Sequence, residues 1–313
     1  MDSTNQSIYF HERPITDIKF HRDGDVFFAS SKDCSASMTN LNGQILGSFN
    51  KHTGAISTLE SYNNNLYTAS VDLSIIQWDV FKGNAISTIP TDSLIRGLFC
   101  SDQIYFCTDD SMGRSPAVGL LDIRTNKTTK IANLSMPSSK LFEYQNCLIV
   151  STANGTVLKV DLRNGQVIQE ATIHQSKIAD MKPSFCRSFF VTASTDSSAK
   201  IVDSETFAIK KRFDCEEPIN SACIFNTNDK VICAGGINAR DVTTTKGKSS
   251  FETSFFDIVT QLKIGSFNTH FGTINAVDVH PIGSHYISGG EDGSICLVRL
   301  GKNFFDAPFT DFN

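Results

Sequence analysis

The chain is short of basic charge, of paired cysteine spacings, of long apolar runs and of helical periodicity, and each shortage removes a class of function. Its 313 residues carry 28 Lys and Arg against 33 Asp and Glu, a formal net charge of −5. Binding to a phosphate backbone normally rests on clustered Lys and Arg, so direct sequence-specific nucleic-acid binding is not expected. The nine cysteines (Cys34, Cys100, Cys107, Cys147, Cys186, Cys215, Cys223, Cys233, Cys296) are odd in number and scattered, with no C-x-x-C spacing to hold zinc. They read as small buried hydrophobes in a reducing compartment. No stretch nears the ~20 apolar residues of a membrane span, and Met1 to Gln6 are polar where a secretory signal needs an apolar run. The expected location is the cytoplasm, with no membrane contact.

Catalytic signatures are missing as well. His11-Glu12 has no second His at the H-E-x-x-H spacing, and Gly289-Gly290-Glu291-Asp292-Gly293 lacks the Lys-Ser/Thr of a phosphate loop. Ser288 is flanked by Ile287 and Gly289, which is not the G-x-S-x-G elbow that exposes a nucleophilic serine. No catalytic residue, metal or cofactor is expected. His21, His280 and His285 lie beside turns and read as surface residues. The 24 Phe read as core packing, since no basic groove accompanies them.

What is present is repetition. A His, a Ser or Thr 18 residues on and an Asp 4 further stand at His174, Thr192 and Asp196, and again at His270, Ser288 and Asp292. A shortened copy at His52, Thr68 and Asp72 is completed by Trp78. Hydrolases carry one such triad, whereas copies at intervals of about 40 residues mean a repeat architecture. If the His opens an inner strand, the hydroxyl lies on the second and the Asp sits in the next bend, every buried polar group has a partner. These tetrads are therefore read as stability devices.

Bends recur near Asp33, Asp72, Asp109, Asn154, Asp196, Gly236 and Asp292, which makes seven units. In the second, Ala55 to Leu59, Leu66 to Ser70, Ser74 to Trp78 and Ala85 to Ile89 are four runs of strand length. No helix-length segment or Pro/Gly/Ser linker interrupts the series, and the long sixth unit is read as holding a polar insertion at Lys246 to Ser250. Four-stranded sheets that cannot bury both faces alone are satisfied by radial stacking. The expected fold is all-β: one seven-bladed β-propeller. Residues 7–10 supply the closing strand of blade seven. The blades run 11–50, 51–89, 90–131, 132–172, 173–213, 214–268 and 269–300, with a tail at 301–313.

Trp78-Asp79, the His-to-Asp spacing and the turns at Asp79 to Gly83 and Asp161 to Gly165 resemble the WD40-repeat family over nearly the whole chain. The departures are Thr39, Val202 and Val298 at the tryptophan position, and Ala29 at the hydroxyl position of blade one. More particular stretches are similar to the subunit i family of eukaryotic translation initiation factor 3. They are His11 to Pro14, Lys51 to Ala55, His270 to Asn275, Ser288 to Gly293, and Asp241 to Thr245, the last placed on the third strand of blade six.

That resemblance implies a noncatalytic scaffold that holds other subunits together during 43S/48S preinitiation complex assembly. It further implies direct contacts with subunits b and g, and contact with the small ribosomal subunit through the complex. In the family a helical segment of subunit b docks around blades five and six, where this chain has Asp214, Glu216 and Glu217. The aromatic tail, Phe304, Phe305 and Phe309, is either a second partner contact or a cover for one propeller face. Two other classes stay open: another WD40 adaptor, such as one resembling the serine-threonine kinase receptor-associated protein or a ubiquitin-ligase substrate module, and a propeller hydrolase.

Overall fold

A strand covered on both faces is buried along its length instead of alternating, and the second strand of each repeat has that character. Val26–Ser31, Asn65–Ser70, Cys147–Thr152, Phe189–Ser194 and His285–Gly290 are buried from their second residue onward, and Ile104–Thr108 and Lys230–Gly235 throughout. Outer strands such as Ile45–Phe49 and Ala85–Pro90 instead alternate, with one face in water. The computed structural model describes residues 3–237, 251–301 and 304.

The described strands form seven four-stranded antiparallel sheets. Blade one is Ile15–Phe20, Val26–Ser31, Ala36–Asn40 and Ile45–Phe49, and blade two is Ile56–Tyr62, Asn65–Ser70, Ser74–Asp79 and Ala85–Pro90. Blade three is Ile95–Cys100, Ile104–Thr108, Ala117–Asp122 and Lys127–Asn133; blade four is Ser138–Tyr144, Cys147–Thr152, Thr156–Asp161 and Val167–Thr172. Blade five is Ile178–Pro183, Phe189–Ser194, Ser198–Asp203 and Ile209–Asp214, and blade six is Ile219–Ile224, Lys230–Gly235, Glu252–Asp257 and Lys263–Asn268. Blade seven takes Ile274–Val279, His285–Gly290 and Ser294–Arg299 from the end of the chain, and its outer strand, Thr4–Tyr9, from the beginning. Thr4 faces Arg299 and Tyr9 faces Ser294, so the first and last strands join the ring by backbone hydrogen bonds.

Seven apolar clusters fill the seven junctions between blades. Phe28, Ala36 and Phe49 of blade one pack with Ile56, Leu66, Ile76 and Trp78 of blade two. At the seam, Ile8 of the N-terminal strand shares a cluster with Ile295 and Leu297 of blade seven and Ile15, Ile18 and Phe27 of blade one. Each blade thus buries both faces against its neighbours, which no single blade could do alone.

A β-bulge at the start of the inner strand recurs in all seven blades, between Ile15 and Asp17, Ile56 and Thr58, Ile95 and Gly97, Ser138 and Leu141, Ile178 and Asp180, Ile219 and Ser221, and Ile274 and Ala276. The extra residue is unpaired in the ladder and its side chain is re-aimed. These extra residues face the axis and matter below.

Three sequence expectations need correction. Among the described residues it is Glu252–Asp257 that forms the third strand of blade six and takes up the ladder with Lys230–Gly235. Asp241 to Thr245 and the Lys246 to Ser250 excursion lie outside the described residues. His280 is buried, with its ring edge-on to Phe20 at 5.2 Å and its Nε2 3.1 Å from the Gly24 carbonyl, while His21 and His285 are half-buried. His280 itself is packed onto blade one, although Ile282 of the same turn is 80 % exposed. All nine cysteines are free thiols, but Cys186 is exposed, since the turn between the first two strands of blade five carries it away from the core.

Candidate functional site

The loop that enters a blade and the bend between its second and third strands lie at the same end of the ring, so a His in one faces an Asp in the other. In blade two His52 Nδ1 is 2.8 Å from Asp72 Oδ2 and Nε2 is 2.8 Å from Thr68 Oγ1, which also accepts the Trp78 indole N–H at 2.8 Å. In blade five His174 stands 2.9 Å from Asp196 and 2.8 Å from Thr192. In blade seven His270 stands 3.3 Å from Asp292 and 2.8 Å from Ser288. A carboxylate can only accept, so in each case Nδ1 carries the proton it donates. Burial pushes the carboxyl of Asp196 up, but hydrogen bonds from Ser198 and His174 outweigh it and hold the group at about 2.

The opposite faces of these groups are closed. Thr68, Thr192 and Ser288 have no exposed surface. A Cβ on Gly290, two residues after Ser288, would sit 2.6 Å from both His270 Nδ1 and Asp292 Oδ1, so the glycine there is required by close packing around the imidazole.

Two variants are not apparent in the sequence. In blade one Ala29 cannot supply the hydroxyl, and Ser37, its cross-strand partner on the third strand, does so instead: His11 Nε2 is 2.9 Å from Ser37 Oγ and Nδ1 is 2.8 Å from Asp33. The nearby Thr39, at the tryptophan position, has a buried hydroxyl without a hydrogen-bond partner. In blade three the His is missing and Arg96 Nε takes the bend carboxylate of Asp109 at 2.7 Å. A search for His alone cannot find Arg96, although Asp109 marks the bend.

Deeper along the axis the inner strands bring charges together. Asp17 of blade one accepts from Lys140 of blade four at 2.7 Å and from Thr58 of blade two at 2.8 Å. Lys19 pairs with Glu60, and Lys182 lies between Asp180 and Asp278 at 3.7 and 3.6 Å. Burial pushes the Asp17 carboxyl up, but Lys140, Lys19 and Lys182 outweigh it and hold it at about 2.

The acidic stretch singled out in the sequence lies on the loop that leaves the outer strand of blade five and enters blade six. Asp214 and Glu216 are exposed and Glu217 is half-buried. All three line a cleft of about 170 Å³ together with Glu252, Pro218, Phe256 and Lys263. Four carboxylates thus face one lysine, which is itself bound to Glu252. Asp214 is held by Arg212 at 2.7 Å. The aromatic tail divides differently. Phe304 is 6 % exposed and packs on Phe255 at 5.1 Å and Phe225 at 5.7 Å, so it fills the junction of blades six and seven and offers no surface to a partner. Phe305 and Phe309 lie outside the described residues.

Comparison with known proteins agrees with this architecture. The EIF3I family model matches residues 7–312. The eukaryotic translation initiation factor 3 subunit I of Drosophila willistoni is 36% identical over 96% of this chain and 98% of its own length. Those of Drosophila erecta and Drosophila melanogaster are each 35% identical over 96% of this chain and 97% of their own length. With a closed seven-bladed ring, histidines built into its blades and a family match along nearly its full length, the chain belongs to the EIF3I family, that of subunit I of eukaryotic translation initiation factor 3.

Proposed function

We propose that this chain is a noncatalytic scaffold subunit of translation initiation factor 3, working in the cytoplasm through protein contacts during 43S/48S preinitiation complex assembly. Its direct partners are subunits b and g, and it reaches the small ribosomal subunit through them. Family membership supports the complex, and the net charge of −5 supports protein contacts over a grip on RNA. The full burial of Ser288, Thr68 and Thr192 supports a structural role for the His-Ser/Thr-Asp groups, because a nucleophile must reach its substrate.

The observation that carries the partner assignment is the acidic cleft at blades five and six. Its excess of carboxylates suits a lysine or arginine on a helical segment, while the half-buried Pro218 supplies apolar surface for the helix to rest on. Subunit b is the partner assigned to this cleft.

The test is affinity purification of the tagged chain from its native cell, with a Glu216→Lys, Glu217→Lys variant alongside. The wild type is expected to recover the initiation factor subunits, and the variant to lose subunit b while melting at the wild-type temperature. Undiminished recovery of subunit b by the variant removes the cleft from the interface. Recovery of kinase-receptor or ubiquitin-ligase machinery without initiation factors overturns the function itself.

A further inference from the structure

The bulged residues at the start of the seven inner strands all line one cavity of about 140 Å³ at the mouth of the axis, several times the ~30 Å³ share of one water. Four of them are occupied in stitching the ring. Ser57 donates to the Ile95 carbonyl at 2.6 Å, Ser139 to Ile178 at 2.6 Å, Asn220 to Ile274 at 3.0 Å and Asn275 to Ile15 at 2.8 Å, in each case onto the first inner-strand residue of the next blade. Blades one, three and five break this pattern, and in blade one Thr16 is hydrogen-bonded to Ser30 of its own blade at 2.9 Å. Blade five has Ala179, which leaves space and no donor, and blade three has Arg96, whose Nε is engaged by Asp109 while its other N–H groups make no hydrogen bond among the described residues.

Lys177 enters the same cavity from the loop before blade five. It is exposed, and its ammonium has no hydrogen bond or ion pair among the described residues. Though the residue as a whole is exposed, its ammonium is partly desolvated where it lines the cavity, and this and the neighbouring Arg96 guanidinium push its pKa down, opposed only by Asp109. Asp109 is already satisfied by Arg96 and by the Ser111 amide and hydroxyl. The other charges at the mouth are also committed: Asp17 to Lys140 at 2.7 Å, and Asp180 to Ser221 at 2.5 Å and to Lys182 below it. One cation is therefore left over beside a guanidinium whose outer edge is unused, in a cavity whose walls are polar.

We propose that the mouth of the axis is a binding site for one small oxyanion group, a carboxylate or a phosphate, held between the Lys177 ammonium and the outer N–H edge of Arg96. Arg96 is oriented by Asp109, so its planar donor edge is fixed before the anion arrives. Ala179 provides the room. The site sits on the face where the inner strands begin, apart from the acidic cleft, and its sign is opposite. A free phosphorylated small molecule and the acidic side chain of a docked peptide share this chemistry.

The experiment follows backbone amide resonances of the full chain during titration with inorganic phosphate and, separately, with glutarate. Saturable shifts are expected at residues 95–97, 139–140 and 177–180. Lys177→Ala removes an exposed side chain, so its melting without anion is unchanged, but its half-saturation is expected to rise about tenfold or more, the loss of one charge-assisted hydrogen bond. Lys177→Arg restores the affinity. A response to phosphate alone assigns a phosphorylated ligand, and a response to glutarate as well assigns an acidic side chain. If neither anion shifts these amides, or if Lys177→Ala binds as the wild type does, the site does not exist.

Discussion

Lys140 Nζ lies 2.7 Å from Asp17 Oδ2, joining blades four and one across the axis of the ring between residues 123 positions apart in the chain. Asp17 is 3 % exposed and also accepts from Thr58. Breaking a buried pair by removing one partner strands the other charge, at a cost of about 3–5 kcal/mol. Lys140→Ala is therefore expected to lower the unfolding free energy, measured by urea denaturation, by an amount in that range. The Asp17→Ala, Lys140→Ala double variant should lose less than the two single changes added together, because no stranded charge remains. Strict additivity would show that the two groups are not coupled.

The His-Asp groups are expected to be worth stability and no turnover. Asp72→Ala removes the carboxylate acceptor of His52 Nδ1, and Asp292→Ala that of His270, leaving only the hydroxyls of Ser74 at 3.3 Å and Ser294 at 3.0 Å. A hydrogen bond to a charged group contributes about 1.5–3 kcal/mol, so both variants should melt earlier than the wild type in a thermal scan. Unchanged melting in both would refute the stability role. A hydrolytic activity that disappears in folded Ser288→Ala would replace it with catalysis.

Acid should erode stability through the bend carboxylates. Asp196 titrates at about 2 when folded against 3.8 unfolded, since the hydrogen bonds from Ser198 and His174 outweigh its burial. A folded pKa below the unfolded one means that the unfolded chain binds protons first. The contribution is thus complete above about pH 4 and is lost as pH falls through about 2. His270 works in the other direction. Burial pushes its pKa down, but Asp292 and Cys296 carry it up to about 9 from 6.5, so its contribution is full below about pH 6.5 and is lost as pH rises through about 9. Urea midpoints measured across pH should show a flatter acid limb in Asp196→Asn and a flatter alkaline limb in His270→Gln. Wild-type slopes in both variants would contradict the assignment.

The closing strand should matter beyond its length. Ile8 is 6 % exposed within the cluster that joins blades seven and one. Ile8→Ala is expected to cost about 2–5 kcal/mol, as for other buried aliphatic truncations. Deleting residues 1–9 leaves Ser294–Arg299 as an unpaired edge, and size-exclusion chromatography should show self-association. A monomeric, fully cooperative deletion variant would mean that the ring closes without this strand.

Phe304 should behave as a core residue. It packs edge-on to Phe255 at 5.1 Å beside Phe225. Phe304→Ala is expected to destabilise by about 3–5 kcal/mol, measured by denaturant melts, and to leave recovery of partner subunits unchanged in the surviving folded fraction. A loss of partners at wild-type stability would reverse this assignment.

Much of this molecule is legible in its residues alone. The number of blades follows from recurring bends at Asp33, Asp72, Asp109, Asn154, Asp196, Gly236 and Asp292, since a turn is a local event with local residue preferences. The partners of His52, His174 and His270 follow from a spacing that strand and turn lengths impose. The failures lie where a partner is chosen by neighbouring backbone and not by spacing. Ser37 replaces the hydroxyl missing at Ala29 because the two residues face each other across strands. Arg96 replaces a His because a bulge turns it toward Asp109. His280 stands beside a turn in the chain, yet it is buried because blade one packs over it.

Alternation, turn chemistry and repeat length belong to stretches of a few dozen residues, and they suffice for strands, blades and the count of seven. The cross-axis pair Asp17 and Lys140, the cavity shared by Arg96 and Lys177, and the burial of Phe304 exist only once the ring is closed. Each depends on residues that are distant in the chain and whose side chains meet by virtue of the shape of the whole. A short-range pattern carries no information about which of seven similar inner strands will stand opposite which, and closure of the ring supplies it.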